Sequence, residues 1–402
     1  APTPILQGIT QSYIFGFDVE NKISRNNFVQ HDITPEAKEG KAKQKLQELF
    51  NLKENMKFDA VVGNPPYQEE SGTSARDNSI YNFFYDLAER ISDKYILISP
   101  ARFLFNAGST PKKWNKKMLN DIHLKVISYE HDSKEIFNSV GIAGGVVIIL
   151  RDANKDFGGI GSFTSFEELK SIRQKVGTSK KDALTNIISG RGIYKLTTKL
   201  HKQHPEIEGM QSKGHKNDVG TGAFDLFNGI LFFETRPEDG NEYTLVHGRL
   251  NKKRTTMWIQ SDFINKPVSH NKYRIILPKA YGTGISSKNN SASLIGSPFV
   301  IKPYEAFTEM YISIGEFEKE INALNGLKYV KTKFARILLA VLKVTQDNTK
   351  EKWAHVPLQD FTENSDIDWT KSISEIDQQL YEKYGLSQEE IDFIERMIKP
   401  ME

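Results

Sequence analysis

The chain has 402 residues, 38% apolar and 26% charged, and its 54 Lys and Arg against 51 Asp and Glu leave a net charge of +3. That is globular composition at a length that suits about two to three domains, with no run of about 20 apolar residues able to span a bilayer. Cysteine is absent, which excludes a disulfide scaffold, thiolate metal sites and thiol catalysis; no basic segment followed by an apolar run reads as a secretory signal, so a cytoplasmic location is expected.

In chain order, Tyr13–Asp18, Asn27–Asp32, Phe58–Gly63, Tyr95–Ser99, Leu124–Glu130 and Gly141–Leu150 are short runs rich in Val, Ile and Tyr that end in polar or turn residues. They read as strands. Between them, Glu36–Glu54 is a charged amphipathic stretch, and Ser79–Ile91 carries Ile80, Phe83, Phe84 and Leu87 at helical spacing. Strands alternating with helices predict an α/β fold with a mostly parallel sheet covered on both faces. The polar, Gly-rich segment Asp152–Gly161 marks a boundary. Beyond it, 223–301 reads as strands with turns, including Tyr243–His247, Met257–Ile259 and Tyr273–Leu277, and Gly282–Ser297 is a low-complexity loop. Helices are predicted at Glu316–Asn325 and Tyr329–Val344. The tail predicts a helical hairpin, with Ser372 and Glu375, and Ser387 and Glu390, spaced as capping boxes and Gly385 where a helix ends. The expected divisions are 1–155, an α+β segment 156–345, and a helical tail 346–402.

Charge is distributed unevenly. From Leu245 to Lys288 there are nine Lys and Arg and one acid, whereas from Gln346 to Glu402 there are fourteen acids and six Lys and Arg. A basic middle and an acidic tail suggest one region that meets a polyanion and one that avoids it. His201 and His204, three residues apart, are too sparse a set to predict a metal site, and none is expected.

The string FDAVVGNPPYQ carries the chemistry. Asn64-Pro65-Pro66-Tyr67 directly follows a predicted strand, and in open parallel sheets ligands bind beyond the carboxyl ends of strands. The prolines stiffen the loop and contribute carbonyls without N–H groups, and the Asn side chain adds an acceptor. Two acceptors gripping the two N–H bonds of an exocyclic amino group favour a pyramidal nitrogen with an exposed lone pair. A planar aromatic beside them can stack on the base. Without Cys, the fitting reaction is direct transfer to nitrogen, with no covalent adduct.

On these residues the sequence resembles the amino-group DNA methyltransferases that use S-adenosylmethionine, and more narrowly the adenine-N6 class of gamma motif order from restriction–modification systems. The resemblance implies a Rossmann-like methyltransferase sheet followed by an α+β target-recognition domain and a C-terminal helical segment. It implies Asn64, Pro65, Pro66 and Tyr67 as the catalytic loop, with Asn64 also at the cofactor. It assigns Asp18, in GFD at the end of the second strand, to the cofactor ribose, Asp32 to the cofactor's adenine amino group, and Phe84 to packing on that adenine. Phe137 matches the aromatic that faces Tyr67 across a flipped base. Double-stranded DNA is the implied partner, held by the basic region through Lys252, Lys253, Arg254, Lys272 and Arg274, interleaved with Tyr243, Trp258, Tyr273 and Tyr281. Nothing before Tyr13 resembles the family's first strand and Gly-rich cofactor loop. The expectation is therefore an N-terminally truncated portion of a longer enzyme, whose missing part could carry the cofactor loop, a nuclease or a helicase. Release-factor glutamine methyltransferases share the NPPY motif, so protein glutamine methylation is an alternative reading. A non-catalytic DNA-binding fragment or specificity module is another.

Overall fold

The computed structural model describes residues 3–17, 24, 27–69, 78–137, 141–282, 284–285 and 291–402. The chain divides into two compact units, Ala1–Phe163 and Thr164–Glu402, with the break just past the Gly-rich segment 152–161.

The first unit contains α1 (Pro4–Phe17), α2 (Thr34–Lys38), α3 (Ala42–Phe50), β1 (Val61–Gly63), β2 (Gln68–Glu69), β3 (Asn78–Ser79), α4 (Tyr81–Ile91), β4 (Lys94–Pro100), α5 (Lys112–Asn120), β5 (Leu124–Glu130) and β6 (Val146–Asp152). One sheet has the order β1-β4-β6-β5. β1 and β4 are parallel, with Gly63 opposite Leu97, while β6 is antiparallel to both β4 and β5. The sheet is therefore mixed rather than mostly parallel. Parallel neighbours need a crossover, usually a helix; β1 reaches β4 through α4, but β5 reaches β6 through a connection in which the described residues form only a 3-10 turn, so that strand returns antiparallel.

Among the described residues neither expected N-terminal strand forms. Tyr13–Phe17 is the last part of α1. Ile5, Ile9 and Tyr13 recur every four residues, and this helical period prevails over the β-propensity of the short run YIF; all three are exposed. Residues 27–32 are irregular, opening on a turn in which Asn27 N–H donates to Ser24 O. The stretch predicted as one helix over Glu36–Glu54 is two, α2 and α3, separated by a turn at Glu39–Gly40.

α4 buries Tyr81, Tyr85, Ala88 and Ile91, so its inner face is turned from the one predicted, and Phe83, Phe84 and Leu87 are half-buried beside it. Tyr85 sits 5.7 Å ring to ring from both Tyr95 and Trp114, and Phe103 lies 5.4 Å from Trp114. The buried Tyr85 hydroxyl shares a 2.9 Å hydrogen bond with Ser99 Oγ, as a buried phenol requires. This aromatic cluster fixes α4 on β4, so that the carboxyl ends of β1 and β4 lie side by side.

The second unit contains α6 (Glu167–Val176), β7 (Ile188–Ser189), β8 (Lys195–Leu196), α7 (Thr198–Gln203), α8 (Ala223–Phe227), β9 (Tyr243–Leu250), β10 (Lys253–Gln260), β11 (Ile264–Asn265), β12 (Tyr273–Pro278), β13 (Phe299–Ile301), β14 (Ala306–Phe307), β15 (Tyr311–Phe317), α9 (Glu320–Lys331), α10 (Lys333–Ala340), α11 (Ile373–Lys383) and α12 (Gln388–Met397). An antiparallel sheet β13-β12-β15-β7, a smaller sheet β10-β9-β14 and the pair β11-β8 carry the strands. One core joins Ile275, Ile314, Phe334, Trp353, Leu380 and Ile394, so the tail helices α11 and α12 share the interior of this unit. Glu316 belongs to β15 rather than to a helix, and α9 starts four residues later. Both capping boxes form, at Ser372 with Glu375 and Ser387 with Glu390.

Candidate functional site

β1 ends at Gly63 and the chain turns at once into Asn64-Pro65-Pro66-Tyr67. Pro65 is buried and wedges the loop, Asn64 and Pro66 are exposed, and Tyr67 is half-buried. Beyond it, the Tyr67 carbonyl accepts from Ile80 N–H at 3.1 Å, and β2 pairs antiparallel with β3, so the described ends of the loop are closed. Among the described residues the Asn64 amide has no hydrogen-bond partner, which leaves its oxygen free to accept. Among the described residues the Tyr67 hydroxyl is buried without a partner, and that burial pushes it up to about 12.

Phe137 reaches the same place from the β5–β6 connection. Its ring lies 6.3 Å from that of Tyr67 at 66°, an edge contact. The two aromatics singled out from separate stretches of sequence are thus brought together. Phe137 is held by the loop around it. Phe137 N–H donates to Ser133 O at 2.8 Å, and Ser133 Oγ accepts from Ile142 N–H at 2.7 Å. The far side of the loop is fastened to the end of β4, where Ala101 N–H donates to Gly145 O at 2.9 Å and Arg102 Nε donates to Ala143 O at 2.5 Å. Gly145 has φ +80°, and a Cβ there would lie 2.3 Å from Glu130 O; only glycine fits that corner. Arg102 and Ser133 were missed in the sequence. The signal that could have found Arg102 is its place directly after a predicted strand at the same sheet edge as Asn64.

The residues expected at a cofactor are more scattered. Asp18 lies outside the described residues, and the preceding Gly16-Phe17 ends a helix rather than a strand. Asp32 is exposed, and its Oδ1 accepts Thr34 N–H at 3.0 Å at the start of α2. Hydrogen bonds from Thr34 hold this carboxyl below its usual range. Phe84 is half-buried on α4, against which α2 packs.

In the second unit the basic residues separate into two groups. Lys252, Lys253 and Arg254 are exposed at the tip of the β9–β10 hairpin. Leu250 pairs with Lys253, and the two loop residues Asn251 and Lys252 have φ +50° and +66°, the left-handed pair of a type I′ turn. Lys272 is instead ion-paired with Glu318. Arg274 is not a surface residue at all. It is fully buried, donating to Tyr194 Oη at 2.5 Å and Glu305 O at 2.6 Å, because β12 is covered on both faces from Arg274 to Pro278. Of the interleaved aromatics, Trp258 has Arg236 5.8 Å over its ring and Tyr243 donates to Asp239 at 2.8 Å. Part of the loop Gly282–Ser297 lies outside the described residues. No helix among the described residues is long and apolar enough to cross a membrane.

Residues 4–137 match the family model described as Eco57I restriction-modification methylase. A protein of Mycoplasma pneumoniae described as an uncharacterized adenine-specific methylase is 31% identical over 103 residues, covering 25% of this chain and 24% of that protein. The aligned part is therefore about a quarter of that relative's length. Among solved structures, the type IIG restriction endonuclease BpuSI aligns with a TM-score of 0.30 at 10% identity, over 80% of this chain and 48% of its own. The type IIL restriction-modification enzyme MmeI in complex with DNA aligns with a TM-score of 0.40 at 9% identity, over 97% of this chain and 69% of its own.

Proposed function

We propose that this chain is the catalytic and target-recognition portion of a DNA adenine-N6 methyltransferase of a restriction–modification system. The observation that carries the reading is the loop after β1, which presents an uncommitted Asn64 amide beside the Tyr67–Phe137 ring pair. The matched family over 4–137 supports methyl transfer, and the description of the Mycoplasma relative favours adenine.

The Asn64 oxygen and the Pro65 carbonyl accept the two N–H bonds of the target amino group, which weakens delocalisation of its lone pair into the ring. Acceptors fixed by a proline-stiffened loop need no reorganisation during the reaction. An adenine inside a duplex cannot meet this loop, so it must be flipped out, at a cost of about a few kcal/mol that stacking offsets. Tyr67 and Phe137 supply the stacking faces. Face-to-face stacking on both sides needs rings about 7 Å apart, twice the ~3.5 Å contact distance, so the present 6.3 Å edge contact must open by rotation of a ring. S-adenosylmethionine, when bound, supplies the electrophilic methyl group. The donor set suits it in part: Asp32 has a carboxylate held ionised, Phe84 offers a half-buried ring on the neighbouring helix, and Asp18 is assigned to the ribose hydroxyls. Lys252, Lys253 and Arg254 are assigned to DNA phosphates.

The test is to incubate the full-length enzyme with unmodified duplex DNA and methyl-labelled S-adenosylmethionine, then digest the DNA to nucleosides. Label in N6-methyladenine is expected. Label in cytosine, or only in protein glutamine, overturns the reading.

A further inference from the structure

The hairpin β9–β10 places a second row of cations beneath its tip. Strand pairing puts Arg249 directly opposite Arg254. Like charges facing each other across a ladder destabilise it. The Arg249 Nε is buried and has no hydrogen-bond partner among the described residues. The Arg254 guanidinium reaches the corner where β12 ends, since a Cβ on Gly296 would lie 3.2 Å from Arg254 Nη2 and 3.0 Å from Pro278 Cγ. Lys279 follows Pro278, and its N–H donates to Met310 O at 3.0 Å. Arg191 is close enough to act on the Lys279 ammonium, and its neighbour Gly192 packs against the Glu309 side chain. Four cations from four segments therefore converge on the Pro278–Lys279 corner.

Three neighbouring cations of this unit are neutralised by carboxylates. Lys195 pairs with Asp218 at 2.6 Å, Lys199 with Asp262 at 2.6 Å and Lys272 with Glu318. Among the described residues Arg191, Arg249, Arg254 and Lys279 form no such pair. Glu309 and Asp347 also face Lys279, but Glu309 is 3.8 Å from Lys195, and the cluster keeps an excess of positive charge. Burial first, and then Arg191 and Arg249, push the Lys279 ammonium below its ordinary range. The hairpin tip adds to the cost, since Lys252 occupies a left-handed position, φ +66°, that usually goes to glycine. Cations crowded without counter-ions are relieved by an anion, and guanidinium forks match phosphate oxygens two at a time.

We infer that Arg191, Arg249, Arg254 and Lys279 form one built phosphate site that clamps the backbone of duplex DNA beneath the β9–β10 hairpin. This rests on the DNA reading above and extends it to three residues, Arg191, Arg249 and Lys279, outside the hairpin tip. Lys272 and Arg274 take no part.

The test is binding of the full chain to a fluorescein-labelled duplex over a range of NaCl concentrations. Each phosphate contact contributes about 0.9 to the log–log salt slope, so Arg249→Gln with Lys279→Gln should flatten the slope by about one unit and weaken binding on every duplex sequence. Arg249→Lys should restore part of the affinity, and Lys272→Gln should bind as wild type. Because Lys279 is a partly exposed strand-end residue, Lys279→Gln alone serves if the double variant fails to fold. If wild type binds with a steep slope and all these variants match it, the phosphate site is wrong while the DNA reading stands. If wild type shows no salt-dependent binding to the duplex, the DNA reading itself falls.

Discussion

Tyr67→Phe separates the two things Tyr67 does. The substitution keeps the ring that meets Phe137 at 6.3 Å and removes a hydroxyl that is buried without a partner among the described residues. An unsatisfied buried polar group costs about 1–3 kcal/mol. Since the residue as a whole is only half-buried, the lower end applies, and Tyr67→Phe should stabilise the protein by about 1 kcal/mol. For a unit of this size that raises the unfolding midpoint by about 2–4 °C. Calorimetry on the wild type and the variant reads this directly. Methyl transfer should stay within about tenfold of wild type, because stacking depends on the ring rather than the hydroxyl. A lowered midpoint would refute the reasoning, since it would mean that the hydroxyl is satisfied in the folded protein. A raised midpoint with turnover lost would show instead that the hydroxyl is used on the substrate.

Three further outcomes follow from the geometry. Gly145→Ala puts a Cβ 2.3 Å from Glu130 O at a φ of +80°, so the loop carrying Phe137 must shift and urea denaturation should show a loss of about 2–4 kcal/mol. Arg274→Leu removes the buried bonds to Tyr194 and Glu305; it should cost about 2–4 kcal/mol in the same assay and leave the salt slope of DNA binding unchanged. His270 is pushed down to about 4, by burial first and then by Arg274 and Lys266; the unfolded chain therefore binds a proton that the folded chain refuses between pH 6.5 and 4. Stability from this group is complete above pH 6.5 and is lost as pH falls through that window, by up to about 3 kcal/mol, and His270→Gln should flatten the acid limb of a stability–pH curve.

The parts of the fold legible in the sequence are those where local signals agree with tertiary packing. β5 forms as predicted over Leu124–Glu130, and the two tail helices start at the Ser residues whose capping boxes announce them. Tyr13–Phe17 was misread because a run of three β-favouring residues was weighed without the Ile5–Ile9–Tyr13 period around it. The mixed sheet was not legible, because parallel and antiparallel strands share one apolar pattern and only the connections distinguish them. At the candidate site, Asn64 and Tyr67 were singled out by residue types in order along the chain and Phe137 by its family match, and the structure brings the rings of Tyr67 and Phe137 within 6.3 Å. Arg102 and Ser133 act through backbone carbonyls and amides, which leave no mark on composition. Arg274 was not legible as a buried residue, nor Lys272 as a paired one, because charge counting along the chain shows neither that β12 is covered on both faces nor that Lys272 meets Glu318 from another segment.

The central claim is that Asn64 grips the reacting amine. Single-turnover methyl transfer by the full-length enzyme, comparing wild type with Asn64→Ala at saturating DNA and S-adenosylmethionine, tests it most directly. Loss of an acceptor matched to the reacting group should lower the rate by about 10²–10³, with DNA affinity retained because the exposed Asn64 side chain makes no hydrogen bond among the described residues. A wild-type rate in Asn64→Ala would contradict the account.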